Sequence, residues 1–354
     1  MNSRSIQPAT APFHATIAPP GSKSLTNRAM VLAALAKGKC TLRNVLFADD
    51  TKVMIDGLRR LGFQLDVDQD ALAVSIHGRG GEILAKSADL FCGNSGTTIR
   101  FLAAMCAIGH GTYTFDGIPR MRQRPIGPLM DLLKNLGVRS EYLGEAGYPP
   151  VRILPRGMAG GIARYGAEQS SQFLSAVIMA APYARHEVRI DLHGEQTSWP
   201  YVAMTMQMMD HFGTTPELIR DHNTAQPQLL IVPREPYRAV DYDVEPDASN
   251  ATYFLAAAAI NSGSSVTIRG LGKRSLQGDV QFARVLRKMG ASVNIQDDSI
   301  TVVGTEILEG IGIDLADMPD TAQTLAVVAL FADGPTTIRG LHTLRIKETD
   351  RLSA

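Results

Sequence analysis

The sequence predicts an α/β protein assembled from repeated helix–strand units of about 76 residues. Two observations carry this reading. Apolar helical stretches close on a glycine at Gly62 (GLRRLGF), Gly137 (LLKNLGV), Gly213 (MMDHFGT) and Gly290 (VLRKMGA), spaced by 75, 76 and 77 residues. Each unit also carries a small-residue helix that runs through a Gly/Ser turn into a strand. The five copies are AMVLAALAKGKCTLRNV, FLAAMCAIGHGTYTFDG, FLSAVIMAAPYARHEVRIDLHG, FLAAAAINSGSSVTIRG and LAVVALFADGPTTIRG. Self-similarity at a fixed period marks a chain built from one repeated supersecondary unit.

Each element follows from local chemistry. The Ala-rich first helices present small side chains on all faces and read as tightly packed. The strands after them are rich in Thr, Val and Ile, which suit a pleated surface. The second helix of each unit is amphipathic and ends on the glycine, the residue that best tolerates the left-handed conformation of a helix C-cap. Alternating stretches such as VRSEYL and ASVNIQ then resume as strands. The fifth unit's strand ends at Gly340, so its closing glycine is expected near residue 360, beyond Ala354. The repeat arithmetic therefore reads the chain as about four and a half units of a longer series, stopping inside a predicted helix.

Composition removes several function classes. Of 354 residues, 35 are Lys or Arg and 35 are Asp or Glu, giving zero formal charge. That balance lacks the basic footprint of a nucleic-acid binder. Apolar runs such as residues 254–260 fall well short of the 18 or so residues of a membrane span. The opening MNSRSIQPATAPFHA has no apolar secretory core. Cys40, Cys92 and Cys106 are odd in number and lack metal-ligand spacing, so a reducing cytoplasm is the expected setting. No metal or cofactor motif is present: GSKS places Ser22 where a phosphate-binding P-loop needs glycine before the lysine, and there is no HExxH.

The chemistry gathers at the helix starts. GSKSLTNR (residues 21–28), GNSGTTIR (93–100), EQSSQF (168–173), EPDASNATYF (245–254) and MPDTAQT (318–324) are rich in Ser, Thr, Asn, Asp and Gly. Capping accounts for one or two such residues per helix, and Asp49, Asp50 and Asp247 are read as caps. Capping does not account for Lys23, Arg28 or Arg100 in the same turns. Unpaired N–H groups and the helix dipole favour anions at these ends. PRMRQRP adds Arg120, Arg122 and Arg124; LRIKETDR adds Arg345, Lys347, Glu348 and Arg351. The second loop mixes cations with one carboxylate, which suits anion binding with proton transfer. On their own, alternating arginines are as well read as a solvated loop.

PPGSKSLTNRAMVLAALA, CGNSGTTIRFLAA, PRMRQRPI, SSQFLSA, EPDASNATYFLAAAAI, GDVQFARVLRKMGA, MPDTAQTLAVVALFA and RIKETDRL, in order from about residue 19 to the last, resemble the 5-enolpyruvylshikimate-3-phosphate synthase family. The resemblance implies two domains forming an inside-out α/β barrel of βαβαββ repeats with pseudo-threefold symmetry, the last repeats incomplete. Residues 20–240 would form one domain, and 1–19 plus 241–354 the other, with the active site between them. It implies transfer of the enolpyruvyl group of phosphoenolpyruvate to the 5-hydroxyl of 3-phosphoshikimate, with release of phosphate, no metal and no cofactor, in a cytoplasmic monomer.

By the same resemblance, Lys23, Ser24, Arg28, Ser170, Ser171, Gln172, Ser198, Tyr201, Asp320, Thr343 and Lys347 would bind 3-phosphoshikimate. Lys23, Asn94, Gly96, Arg124, Gln172 and Arg351 would bind phosphoenolpyruvate. Asp320 would be the base, Glu348 would shuttle the methylene proton, and Lys23 would assist. Thr343 stands where the family often has asparagine, and Phe101 where a proline is common. Gly96 lies in the family's pocket for glyphosate, which makes inhibition an expectation. Two other readings stay open. A related transferase acting on a nucleotide sugar normally carries a loop cysteine, which residues 119–125 lack. A binding-only piece is the other, because the family's C-terminal DHR motif and lysine do not occur in the sequence.

Overall fold

The structure is a computed structural model and describes residues 5, 7, 8, 10–166, 170–194 and 196–354. Glu168 and Gln169 of the EQSSQF motif lie outside the described residues. The chain divides into two compact units. The larger comprises residues 20–245 and 342–354; the smaller comprises residues 1–19 and 246–341.

The larger unit repeats one pattern three times. Its three four-stranded sheets each pair a parallel edge strand with an antiparallel trio. In the first, Tyr242–Asp243 lies beside Lys37–Arg43, then Ala73–Arg79, then Gln64–Asp68. The second runs Ser87–Phe91, Thr112–Asp116, Val151–Leu154, Arg139–Tyr142. The third runs Gly161–Gly166, Val188–His193, Pro227–Val232, Glu217–Arg220. The first sheet's edge strand comes from the far end of the third repeat, with Tyr242 opposite Leu42.

The helices sit inside and the sheets outside. Lys23–Leu35, Gly96–Cys106 and Ser171–Ala180 pack against one another. From Leu25 to Leu35 every side chain of the first is buried, and every residue of the second is buried. A helix that is apolar on all sides has to be enclosed. The strands instead alternate buried and exposed residues, as in Val188–His193, so one sheet face is left to solvent. The amphipathic Asp49–Arg60, Gly127–Asn135 and Trp199–His211 complete the units. The helix-closing glycines adopt the expected positive φ: 95° at Gly62, 83° at Gly137, 90° at Gly213 and 109° at Gly290. Cys40, Cys92 and Cys106 are buried thiols.

The smaller unit follows the same plan. The N-terminal strand His14–Ile17 runs parallel to Ser265–Arg269, which continues to Ser299–Val303 and Ser292–Ile295. Two short parallel pairs follow, Leu308–Glu309 with Ala332–Asp333 and Gly312–Asp314 with Thr337–Arg339. Ala248–Ala259 begins on Asp247, whose side chain accepts from the Asn250 N–H at 2.8 Å, so this aspartate is a cap as expected. An apolar hollow of about 310 Å³ lies between Ala248–Ala259 and Ala322–Ala329, lined by Tyr253, Ala256, Ile260 and Val327. None of the described helices is long and apolar enough to cross a membrane.

Two expectations are corrected. Residues 342–354, expected with the second domain, cluster with the larger unit. The helix expected at the end is instead a short 3-10 turn, His342–Ile346, followed by bends and turns. Asp350 turns its carboxylate back onto the N–H groups of Leu352 and Ser353 at 3.1 and 3.2 Å. The carbonyls that a helix would pair are taken by side chains from other loops, as described below.

The repeat is also visible in one close approach. A Cβ at Gly78 would strike the carbonyl oxygens of Ala33 and Ala36, and one at Gly304 would strike those of Ala258 and Asn261. In both units the sheet lies directly on the C-terminal end of the first helix, and neither glycine needs a positive φ. Gly78→Ala is therefore expected to cost about 1–3 kcal/mol through overpacking. Urea unfolding should show a lower midpoint at unchanged slope. Gly312→Ala, where nothing lies within 4 Å, should leave the midpoint nearly unmoved.

Candidate active site

The first turns of the three inner helices of the larger unit meet. The Asn27 amide donates to Thr97 Oγ1 at 2.6 Å, and Arg100 Nη1 donates to Gln172 Oε1 at 2.7 Å. Ser22, Ser95 and Ser170 cap these helices, each hydroxyl accepting from a backbone N–H of its first turn. Capping is thus real, and the motif residues beyond the caps are left for other work.

Three guanidiniums are buried here. Arg28 is 1% exposed. Its Nε donates to Thr205 Oγ1 at 2.7 Å, Nη1 to the Ser24 carbonyl at 3.0 Å, and Nη2 to Ser175 Oγ and the Tyr201 carbonyl at 3.4 Å each. The group lies 5.1 Å from the Phe101 ring centroid. Burial pulls its pKa down to about 10. Arg100 donates to the carbonyls of Gly96 at 3.2 Å and Pro125 at 2.7 Å as well as to Gln172, and stands 5.0 Å from the Phe173 ring. Burial, then repulsion from Arg124, holds Arg100 well below the usual arginine value. Arg124 donates to the carbonyls of Asn94 at 2.7 Å and Ile346 at 3.3 Å. All these acceptors are neutral. A buried cation held only by neutral dipoles keeps its field available to an anion.

Two of these cations pack against Gly96. A Cβ there would collide with Arg124 Nη2 and Arg100 Nη1. Asn94 Oδ1, Thr343 Oγ1 and Arg100 Nε are buried atoms with no hydrogen-bond partner among the described residues. Such groups cost about 1–3 kcal/mol each when left unsatisfied and mark places where a ligand or water completes the bonding.

The loop at residues 344–351 lies beside this group. Arg351 grips Glu348 with both arms, Nε to Oε1 at 2.8 Å and Nη2 to Oε2 at 3.0 Å. Burial pushes the Glu348 carboxyl up, but the Arg351 hydrogen bonds and charge, with Lys23 further off, outweigh it and hold the pKa below the usual carboxylate range. Lys23 begins its helix 3.7 Å from the Asp50 carboxylate, and its side chain is 43% exposed. Ser198 is a non-glycine residue in the left-handed region, φ 55° and ψ 39°, just before Trp199–His211. Strain of this kind costs about 1–3 kcal/mol and clusters at functional positions. The Tyr201 carbonyl accepts from Arg28 and from Thr205.

Lys23, Ser24, Arg28, Asn94, Gly96, Arg124, Ser170, Ser171, Gln172, Ser198, Tyr201, Thr343, Lys347, Glu348 and Arg351 all belong to the larger unit. Asp320 belongs to the smaller unit, in the 3-10 turn Pro319–Thr321. Met318 and Thr321 hold the cap positions on either side, so Asp320 is not a helix cap. Arg100 was visible in the sequence as an unexplained cation but carried no assigned role; its hydrogen bond to Gln172 supplies one. Arg122 is set apart from its neighbours, paired to Asp116 at 2.6 Å.

A repeated α/β fold whose helix starts concentrate cations is built to hold small anions. The solved EPSP synthase of Acinetobacter baumannii superposes with a TM-score of 0.77 at 25% identity, covering 98% of this chain and 78% of that one. The enolpyruvyl transferase NikO of Streptomyces tendae shares the fold, with a TM-score of 0.66 at 17% identity, over 92% of this chain and 74% of that one. The 3-phosphoshikimate 1-carboxyvinyltransferase of Nostoc punctiforme is 43% identical over all of this chain and 82% of its own length. Residues 8–354 match the family model described as EPSP synthase (3-phosphoshikimate 1-carboxyvinyltransferase), and the chain belongs to that family. The family transfers the enolpyruvyl group of phosphoenolpyruvate to 3-phosphoshikimate in the shikimate pathway.

The depressed Glu348 pKa sets a sign. Its pair with Arg351 adds stability that is whole above the ordinary carboxylate range and is lost as pH falls through the depressed value. With Glu348 about half exposed, the pair is worth roughly 0.2–1 kcal/mol. Glu348→Gln should lower the thermal midpoint slightly at neutral pH, and the gap should close in acid. A gap that stays constant in acid would contradict the assignment.

Proposed function

We propose that this chain carries out the family's transfer with the residues gathered in the larger unit and with Asp320. Supporting this is the set of buried guanidiniums bonded only to neutral acceptors, which suits two small, strongly anionic substrates.

In this reading Lys23, Ser24, Arg28, Ser170, Ser171, Gln172, Ser198, Tyr201, Asp320, Thr343 and Lys347 bind 3-phosphoshikimate. Arg28 also ties Ser24 to Tyr201 through their carbonyls. Lys23, Asn94, Gly96, Arg124, Gln172 and Arg351 hold phosphoenolpyruvate. Asp320 takes the proton of the 5-hydroxyl as its oxygen attacks C2 of phosphoenolpyruvate. Glu348 gives a proton to the C3 methylene in the same addition. The resulting tetrahedral intermediate loses a proton from C3 back to Glu348 as the C2–O bond to phosphate breaks; the leaving group departs as hydrogen phosphate, carrying the proton taken from the 5-hydroxyl, and the vinyl group is regenerated. The substrate carboxylate competes with Glu348 for Arg351. Its arrival loosens the carboxylate pair, raises the Glu348 pKa and readies that group to carry a proton. The 2.8 and 3.0 Å grip between Arg351 and Glu348 supports this reading of the resting site.

The test is phosphate release from phosphoenolpyruvate that depends on 3-phosphoshikimate, with a nucleotide sugar as the alternative acceptor. Turnover with 3-phosphoshikimate alone, reduced about 10²-fold or more in Glu348→Gln and in Asp320→Asn, is the expected result. Turnover with the nucleotide sugar, or equal rates in the variants, would overturn the reading.

The same pocket predicts competition by glyphosate against phosphoenolpyruvate, in a cytoplasmic monomer. Gly96→Ala should raise the KM for phosphoenolpyruvate by about tenfold, equivalent to 1.4 kcal/mol, and weaken glyphosate in step. Absence of inhibition far above the phosphoenolpyruvate requirement would sink the glyphosate reading, and a dimer mass in light scattering the monomer.

A further inference from the structure

Residues 345–348 show a regular pattern. Four successive backbone carbonyls accept hydrogen bonds from side chains of two distant loops. The Arg345 carbonyl accepts from Arg120 Nη2 at 2.8 Å. The Ile346 carbonyl accepts from Arg124 Nε at 3.3 Å. The Lys347 carbonyl accepts from Arg120 through Nη2 at 3.1 Å and Nε at 3.3 Å. The Glu348 carbonyl accepts from the Asn94 amide at 3.0 Å. These carbonyls end and follow the 3-10 turn His342–Ile346. A helical turn leaves its last carbonyls without internal partners and carries negative charge at that end. Arginine satisfies both needs at once.

Two of the three donors already have a place in the proposed site: Arg124 and Asn94 belong to the phosphoenolpyruvate pocket. Arg120 has none. Its guanidinium is occupied by the carbonyls of 345 and 347 and by Gln123 Oε1 at 3.3 Å. It stands at the start of the 3-10 turn Met121–Gln123, which is anchored by the fully buried Met121. The alternating arginines of this loop thus have different fates. Arg122 turns to Asp116, Arg124 to the pocket, and Arg120 to the chain that bears Glu348.

We infer that Arg120 is a positioning residue: by holding the carbonyls on both sides of Ile346 it sets where Glu348 and Arg351 stand relative to the phosphoenolpyruvate pocket. The inference rests on the proposed role of Glu348. The fork geometry is essential. One planar guanidinium spans two carbonyls two residues apart, which the point charge of a lysine does not match. Displacements of about 1 Å in a reacting group cost about 10²-fold in rate. Arg120 reaches the proposed substrate pocket only through the backbone carbonyl of Lys347 and not through that residue's side chain, so its loss should act chiefly on the rate and change 3-phosphoshikimate binding little.

The test uses the whole chain with Arg120→Ala, Arg120→Lys, Glu348→Gln and the Arg120→Ala/Glu348→Gln double variant. Two readouts are followed: kcat with the KM for 3-phosphoshikimate, and deuterium uptake from heavy water into the C3 methylene of phosphoenolpyruvate in the presence of 3-phosphoshikimate. Arg120→Ala and Arg120→Lys should each lower kcat and deuterium uptake in parallel, by about tenfold to a hundredfold, with the KM for 3-phosphoshikimate within roughly twofold of the parent. In the Glu348→Gln background, removing Arg120 should change the residual rate little, because the group it positions is gone. Added guanidinium ion should restore part of the activity of Arg120→Ala and none of that of Glu348→Gln. If Glu348→Gln keeps full deuterium uptake, the proposed role of Glu348 fails. If Glu348→Gln loses uptake but the Arg120 effect adds in full to it, or if Arg120→Lys equals the parent, the positioning inference is overturned. Should Arg120→Ala fail to fold, Arg120→Lys decides alone.

Discussion

The structure depends on burying positive charge where helices are least hospitable to it. The N-terminal turns of the inner helices carry partial positive charge, yet Arg28 and Arg100 sit within those helices and Arg124 sits against one of them. Desolvating a guanidinium costs several kcal/mol. The cost is met by carbonyl and hydroxyl acceptors: Thr205, Ser175 and Tyr201 of the third repeat for Arg28, and Gln172 of the third repeat with Gly96 and Pro125 of its own repeat for Arg100. The threefold arrangement is what brings acceptors from three separate sequence regions to one place. Remove the repeat packing and the cations have no acceptors; remove the cations and the packing has no function.

This arrangement also explains how a chain of zero net charge binds anions. Charge balance is a property of the sum, while recognition depends on local placement. Many carboxylates, such as Asp56, Glu141 and Glu187, pair with surface arginines on the outer layer. In the inner layer Arg28, Arg100 and Arg124 hydrogen-bond to neutral acceptors. A substrate phosphate or carboxylate then meets donors that are already oriented and partly dehydrated, the condition under which electrostatic stabilisation is strongest.

Much of this was legible in the sequence, and the reasons differ by feature. The repeat was legible because helix-ending glycines recur at a period fixed by the size of one unit, and all four have the positive φ that glycine alone adopts freely. The helix starts were legible because Lys and Arg there exceed what capping requires. The fate of individual arginines was not legible. Arg120, Arg122 and Arg124 alternate identically in sequence but turn to different partners, because one faces a 3-10 turn, one faces Asp116 and one faces Gly96. The conformation of residues 342–354 was also hidden. A helical pattern read locally gives way when side chains more than two hundred positions away take its carbonyls.

The edge strands carry a consequence for how the chain reaches this state. In each unit the first sheet is finished by a strand from far along the chain: Tyr242–Asp243 joins Lys37–Arg43, and His14–Ile17 joins Ser265–Arg269. Hydrogen bonds between Phe13 and Ser264 span 251 positions. At a synthesis rate of about 5–20 residues per second, the N-terminal strand waits roughly 10–50 s for its partner to emerge. Loop closure over such distances slows folding. The repeats between them can collapse first, each sheet with its own helices. The two long-range pairings then act as clasps, so the order of synthesis favours packing of the three repeats in residues 20–245 before the N-terminal strand finds its partner.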